Sequence, residues 1–386
     1  MHQSGGSMGK SQCNVALFSP GLGYINRGIE TFTRELYEVL TQKGDLQVSL
    51  FCGTGEPIPG AISVWAPHRN AEFYDLPLLT GLKPRSYWIE NVIFSIPLAL
   101  HCYTKPCDIV HFNEGIPANV LYHLRNRLRG SFKLLFCNGG PLSPQQYMRY
   151  DYVQVQTPAQ WDEGIAAGYP ESNLFLVPPG IHLQPFAAPL TLEQWQEKRQ
   201  QWQLPIDRSL ILSVGAVNNS HKRMEWLIQE FSHLDPARFF LWIVGQPDSE
   251  TPEIKDLATS LLKPSSYKFD VVPYPQMPDV YRIADYFVLC SLHEGVPRVY
   301  LEAMGAKLPV IIHPTAMTEW VLGADNLGLA NMTQPGTLKE KLLYLEAHPE
   351  ACKQQASSNQ HSAIERFDWL SLYSQYLEMY QRILTE

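Results

Sequence analysis

Short apolar runs alternate along this chain with segments whose apolar residues recur every three or four positions. Residues 14–18 form such a run, closed by Pro20, and Ile29, Phe32, Leu36, Val39 and Leu40 then fall on one face of a helix. Residues 48–52, 108–112, 133–137, 152–157 and 174–177 are further near-continuous runs, the pattern of parallel strands covered on both faces. After a polar stretch the alternation restarts. Strands are predicted at 210–214, 239–244, 269–272, 286–290 and 309–312, and helices through Met224, Leu227, Ile228 and Phe231 and over 300–304. This β-α alternation predicts an α/β protein built from two doubly wound, Rossmann-like parallel sheets. Pro185, Pro189 and Pro205 flank a polar helical segment (192–202) in a linker, so the boundary falls near 181–184. The chain then divides into residues 11–183, 184–367 and a last amphipathic helix within 368–386, with Leu370, Tyr373, Leu377, Tyr380 and Ile383 on one face.

Composition agrees. At about 100–200 residues per domain, 386 residues make two or three domains, and 45% hydrophobic with 18% charged residues is globular. A net charge of −8 disfavours a nucleic-acid binder and weakens attraction to an anionic membrane. Seven cysteines, an odd number without a C-x-x-C, indicate neither a disulfide framework nor a zinc ribbon. The first ten residues lack the apolar stretch of a secretory signal. The longest apolar run, 92–103, contains Pro97 and is shorter than the ~20 residues a spanning helix needs, so a cytoplasmic protein is expected. Residues 83–133 hold seven Lys/Arg against three acids. They read either as a surface for peripheral membrane contact and a lipid acceptor or, as expected here, as a buried helix beside a solvated basic one.

Several chemistries are missing. There is no P-loop, no H-E-x-x-H, no G-x-S-x-G, and no Asp-x-Asp to hold a metal against a diphosphate. Gly21-Leu-Gly23-Tyr-Ile-Asn26 lacks the third glycine of a dinucleotide fingerprint. The most informative stretch runs from Ser291 to Ile311. A strand leads into a loop holding Glu294, Gly295 and Val296, then into a helix that starts near Pro297 and carries Arg298 and Glu302. A helix start collects unpaired amides and suits an anion such as a diphosphate.

In the frame Glu294-Gly295-…-Leu-Glu302-Ala-Met-…-Leu-Pro309-Val-Ile, two glutamates stand seven residues apart. This closely resembles the donor-site motif of family 4 retaining glycosyltransferases, whose fold is GT-B. The resemblance covers most of the chain. Asn26-Arg27-Gly28-Ile29-Glu30 resembles the family's glycine loop, with Arg27 in place of a first glycine. Asp108-Ile-Val-His111-Phe-Asn113 resembles its Asp-Val-Val-His strand end, although His111 reads equally as a core histidine. Asn138-Gly139-Gly140 falls where members often carry a histidine facing the donor sugar. Gly215-Ala216-…-Lys222 resembles the loop whose Arg and Lys bind the diphosphate. Lys222 matches, Ala216 replaces the Arg, and Arg223 follows as a partial substitute. Glu319 matches the acid after the last donor loop, and the final helix resembles one that crosses back to the first domain.

The resemblance implies a metal-independent, cofactor-free transferase that moves a sugar from a nucleotide-diphosphate donor to a small-molecule, glycan or lipid acceptor with retention of configuration. Lys222, Glu294 and Asn138 would be catalytic. Gly28, Gly215, Arg223, Gly295, Val296, Arg298, Glu302 and Glu319 would bind the donor. His111, Asn113, Gly139 and Gly140 would lie on the acceptor side. Replacement of the family's Arg by Ala216 leaves room for a GT-B epimerase, a pseudo-glycosyltransferase or a non-catalytic nucleotide-sugar binder.

Overall fold

The computed structural model describes residues 13–25, 27–140 and 142–385, so the readings of the first ten residues and of Asn26 fall outside it. The chain forms two compact units, Met1–Gly180 with Leu372–Glu386, and Ile181–Ser371.

The first unit is built on seven strands: β1 (Asn14–Ser19), β2 (Gln47–Cys52), β3 (Ile62–Ser63), β4 (Ile109–Phe112), β5 (Lys133–Asn138), β6 (Tyr152–Val155) and β7 (Leu174–Leu176). All pairings are parallel, in the order β3-β2-β1-β4-β5-β6-β7. Its helices are α1 (Gly28–Lys43), α2 (Ser86–Thr104), α3 (Gly115–Leu128) and α4 (Pro158–Ala166). The second unit holds β8 (Ser209–Val214), β9 (Phe239–Val244), β10 (Tyr267–Asp270), β11 (Tyr286–Leu289) and β12 (Val310–Ile312), parallel in the order β10-β9-β8-β11-β12. Around them lie α5 (Gln184–Ala187), α6 (Leu192–Gln201), α7 (Met224–Phe231), α8 (Thr251–Leu261), α9 (Met277–Arg282), α10 (Arg298–Gly305), α11 (Ala316–Leu322), α12 (Thr337–Ala347) and α13 (Pro349–Phe367). A final helix, α14 (Trp369–Thr385), begins in the second unit and ends in the first.

The central strands are buried on both faces, which is why they read as continuous apolar runs: Leu210, Ile211 and Leu212 of β8 and Phe287, Val288 and Leu289 of β11 are fully enclosed. Each sheet starts near its middle, winds to one edge, and returns to wind to the other. The order therefore reverses between β1 and β4 and between β8 and β11. Loops leaving adjacent strands diverge at such a point and open a crevice at the strand carboxyl ends.

Two expectations shift. The strand predicted over 269–272 lies at Tyr267–Asp270, because Asp270 faces Val244, the last residue of β9, and leaves Val271 exposed before Pro273. The apolar helix over 92–103 is not buried all round. α2 buries Phe94, Leu98 and Cys102 and exposes Ile96 and Leu100, since a helix lying on one face of a sheet has only one side to cover. No helix among the described residues is long and apolar enough to cross a membrane.

The second half of α14 is anchored in the first unit by its tyrosines. Tyr376 donates to the Pro178 carbonyl (3.0 Å) and accepts from Gln154 (2.9 Å), while Tyr380 Oη lies 2.7 Å from His111 Nδ1. Both rings are fully buried, worth about 1.5–3 kcal/mol for each large side chain withdrawn from water.

Candidate functional site

At the second unit's switch point the loops after β8 and β11 meet. The Gly215 amide donates to the Val244 carbonyl (3.0 Å). A Cβ on Gly245 would stand 1.6 Å from the Gly215 carbonyl oxygen, so the loops after β8 and β9 touch backbone to backbone. A Cβ on Gly215 would lie 3.2 Å from each of three Lys222 carbons. Glycine there lets the lysine stem lie flat on the loop. Asn218 shapes the turn, as asparagine does when its side chain caps neighbouring amides: its Oδ1 accepts from the amides of His221 (3.3 Å) and Lys222 (2.9 Å). Its Nδ2 donates to Asp248 (3.0 Å), and Glu250 takes the amides of Asn219 (2.6 Å) and Ser220 (2.9 Å).

So held, Lys222 reaches Glu294 with Nζ 2.5 Å from Oε1, and His221 Nε2 stands 3.4 Å from the other carboxylate oxygen. The Lys222 and Glu294 side chains are 13% and 8% exposed, a largely desolvated pair joining the two loops. Arg223 is engaged otherwise. Its backbone is left-handed (φ 51°) at the N-cap of α7, and Nη1 donates to the carbonyls of Cys290 (3.3 Å) and Met332 (2.8 Å). Its guanidinium lies over the Trp226 ring at 4.7 Å. It ties the end of β11 to the 331–332 loop.

Gly295 and the buried Val296 lead to Pro297, the N-cap of α10. Glu302, on the second turn, is 3% exposed and accepts from the Tyr281 phenol at 2.7 Å. Burial, reinforced by the Glu302 charge, drives the Tyr281 pKa far above the phenol range, so Tyr281 stays a donor. The two motif glutamates therefore face different partners, Lys222 for one and Tyr281 for the other. Arg298 Nη2 donates to Tyr274 Oη (2.9 Å), and Glu319 is exposed in the first turn of α11. A carboxylate at that end of a helix is favourably placed.

The first unit's switch point holds a cluster of which the motifs pointed only to Arg27 and Glu30. Three carboxylates, Glu30, Glu90 and Glu114, are 1%, 1% and 6% exposed. Arg27 Nε lies 3.2 Å from both Glu30 oxygens and Arg27 Nη2 4.0 Å from Glu114. Arg69 Nε donates to Glu90 at 2.6 Å, and the Tyr24 phenol donates to the same carboxylate. The Tyr24 ring stacks on His68 at 3.9 Å. A Cβ on Gly21 would stand 2.7 Å from Glu30 Oε1, so a side chain there would push the buried carboxylate aside. Glu114 Oε2 and Arg69 Nη2 are buried without a hydrogen-bond partner among the described residues. Burial raises the Glu114 pKa to about 7, Arg69 opposing the rise. These residues come from four separate stretches of chain, and no local pattern marks the last three.

Of the residues expected on the acceptor side, His111 lies on β4, Asn113 just after it, and Gly139 and Gly140 just after β5. Gly28 is the exposed first residue of α1. His111 is 2% exposed under Tyr380, and burial lowers its pKa to about 3, the setting of a neutral core histidine. Asn113 donates to the Cys137 carbonyl (3.1 Å) and Asn138 to that of Leu142 (3.3 Å). Asn138 is wholly buried, with Oδ1 unpartnered among the described residues. Gly139 lies against Asn113 and Gln156, and the Gly140 carbonyl accepts from Gln160 (2.9 Å). No group of three His, Cys, Asp or Glu among the described residues is placed to hold a metal.

Two parallel sheets with this winding and these strand-end loops define the GT-B fold, and comparison with solved structures agrees. Sucrose-phosphate synthase of Thermosynechococcus elongatus superposes with a TM-score of 0.78 over 97% of this chain and 100% of that one, at 18% identity. A protein of Anabaena solved with UDP and glucose gives 0.76 over 96% and 100%, at 16% identity. At such identities the likeness is one of fold. Residues 208–348, within the second unit, match the family model described as Glycosyl transferases group 1. Among curated proteins, alpha-galactosylglucosyldiacylglycerol synthase of Streptococcus pneumoniae is 22% identical over 62% of this chain and 64% of its own length. Mannosylfructose-phosphate synthase of Agrobacterium fabrum is 29% identical over 43% and 38%. The matched stretches thus span less than two thirds of either relative.

Proposed function

We propose that this protein is a retaining glycosyltransferase that moves a sugar from a nucleotide-diphosphate donor to a hydroxylated acceptor without a metal. The observation that carries the reading is the 2.5 Å contact of Lys222 with Glu294, which joins the Gly215 loop to the glutamate loop ahead of α10. Breaking the bond between sugar and diphosphate leaves charge on the departing phosphate, and a preorganised cation in a desolvated site absorbs it. Lys222 supplies that cation, and the amides at the start of α10 supply further donors. Pro297 contributes none, having no N–H.

Glu294 would hold Lys222 in position before the donor arrives, then take a sugar hydroxyl and favour positive charge developing on the ring. Glu302, fixed by Tyr281, would accept from the ribose hydroxyls. Arg298 would face the sugar or the diphosphate. Arg223 would act through the loop it ties down. The leaving phosphate itself would take the acceptor's proton on the face it departs from, so no separate base is needed. Relatives named for sugar-transferring syntheses and a fold relative that holds UDP and glucose support the reading.

A thermal-shift screen of UDP, GDP, ADP and their sugars, followed by a nucleotide-release assay with the best hit, tests it. Stabilisation by one family of sugar nucleotides, acceptor-dependent release and a product of unchanged anomeric configuration by NMR are expected. Conversion of the donor without an acceptor would assign an epimerase, and stabilisation without turnover a binding protein.

A further inference from the structure

α2 presents a face that the fold leaves uncovered. Trp88, Val92, Ile96, Leu100 and Tyr103 are spaced by four, four, four and three residues, one stripe about 22 Å long at 1.5 Å per residue. Trp88, Ile96 and Leu100 are 56%, 65% and 63% exposed, and Leu78, just before the helix, is 96% exposed. Apolar side chains scattered singly on a surface need no explanation, but a continuous stripe marks a contact.

The charges at the two ends of α2 and at the end of α3 are basic, while the exposed Asp75, further up the chain, is paired with Lys83. Arg85 precedes α2, and Lys105 follows it. Arg127 and Arg129 end α3 beside it, where the Tyr103 and Phe132 rings meet edge to face at 5.8 Å. All four basic residues are exposed and have no acidic partner among the described residues. The acids of residues 83–133 are withdrawn from this surface. Glu90 and Glu114 are buried, and Asp108 is half-buried, accepting from the backbone and side-chain nitrogens of Asn14 (2.8 and 2.9 Å). A chain of net charge −8 therefore carries a basic rim around an apolar stripe.

We infer that this face docks the protein on an anionic lipid bilayer, with α2 lying in the plane of the interface. An apolar face with cations at its border and an indole near the headgroups is the chemistry that such a surface takes up. A second copy of the chain fits less well. Two antiparallel stripes would set Arg85 of one against Arg127 and Arg129 of the other, like charge on like charge. The inference stands independently of the transferase reading.

Sedimentation of the full chain with vesicles tests it. The protein pellets with phosphatidylcholine–phosphatidylglycerol vesicles and stays in solution with phosphatidylcholine alone, and about 0.5 M salt releases it by screening the cations. Ile96→Asp with Leu100→Asp, and separately Arg127→Glu with Arg129→Glu, weaken vesicle binding at least about tenfold with unchanged circular dichroism and Tm. Wild-type protein left in solution with anionic vesicles would overturn the inference, as would an apolar variant that binds like wild type. So would a lipid-free dimer that Ile96→Asp with Leu100→Asp dissociates, since the stripe would then belong to a second copy.

Discussion

The two switch points of this protein hold charge in different ways. In the second unit one lysine meets one glutamate, and the pair joins two loops. In the first, three buried glutamates share two arginines, and one glutamate oxygen and one arginine nitrogen have no hydrogen-bond partner among the described residues. A single cation held by a single carboxylate can be handed to an incoming anion with little rearrangement. A cluster richer in acid than in base rejects a second anion and suits hydroxyl donors. On the proposed reading, the same strand-end geometry would take a diphosphate on one sheet and hydroxyl groups on the other.

Variants that break one side only sharpen this contrast. Lys222→Ala has the largest expected effect, at least about 100-fold on acceptor-dependent nucleotide release, the size of one lost preorganised donor. Near-normal release by the purified variant would remove Lys222 from the reaction. On the first unit, Glu114→Gln removes a proton-binding site. A carboxyl whose pKa rises from 4.5 to about 7 on folding binds protons more tightly in the folded state, so its contribution to stability is full below pH 4.5 and lost as pH climbs through 7. Denaturant titrations across that window should show the Gln variant gaining on wild type by about 2–3 kcal/mol as pH rises. His111 acts in the opposite sense, losing stability as pH falls from 6.5 toward 3, but it is common to both proteins and cancels in the difference.

Smaller effects probe the supports. Glu302→Ala should weaken nucleotide binding by about 2 kcal/mol in calorimetry, the worth of charge-assisted bonds to the ribose. Asn218→Ala frees the amides of His221 and Lys222 and should lower turnover about tenfold with nucleotide affinity little changed, the mark of a positioning residue. Arg298→Ala should shift the donor profile between neutral and acidic sugars. An unchanged profile and rate would take Arg298 out of donor recognition and leave it a support for Tyr274.

The parallel sheets were legible because strands buried on both faces are near-continuous apolar runs, as in β8 and β11. The Glu294–Glu302 frame was legible because loop and helix are contiguous in sequence. Asn218 was not, since its role rests on which amides its side chain meets after the turn forms. Arg223 looked like a partner for Lys222, but its left-handed backbone aims the guanidinium at two carbonyls and Trp226. The Glu30–Glu90–Glu114 cluster joins side chains from residues 30, 90 and 114, too far apart in sequence to leave a local pattern. α2 illustrates the limit of periodicity: a helix apolar all round reads as buried until the fold shows that only one side is covered.

The most direct measurement is a crystal structure with a sugar nucleotide bound. The account predicts the pyrophosphate at the start of α10, with Lys222 Nζ moved from Glu294 to a phosphate oxygen and Glu302 on the ribose. A nucleotide lodged elsewhere, or a diphosphate beyond reach of Lys222, would contradict it.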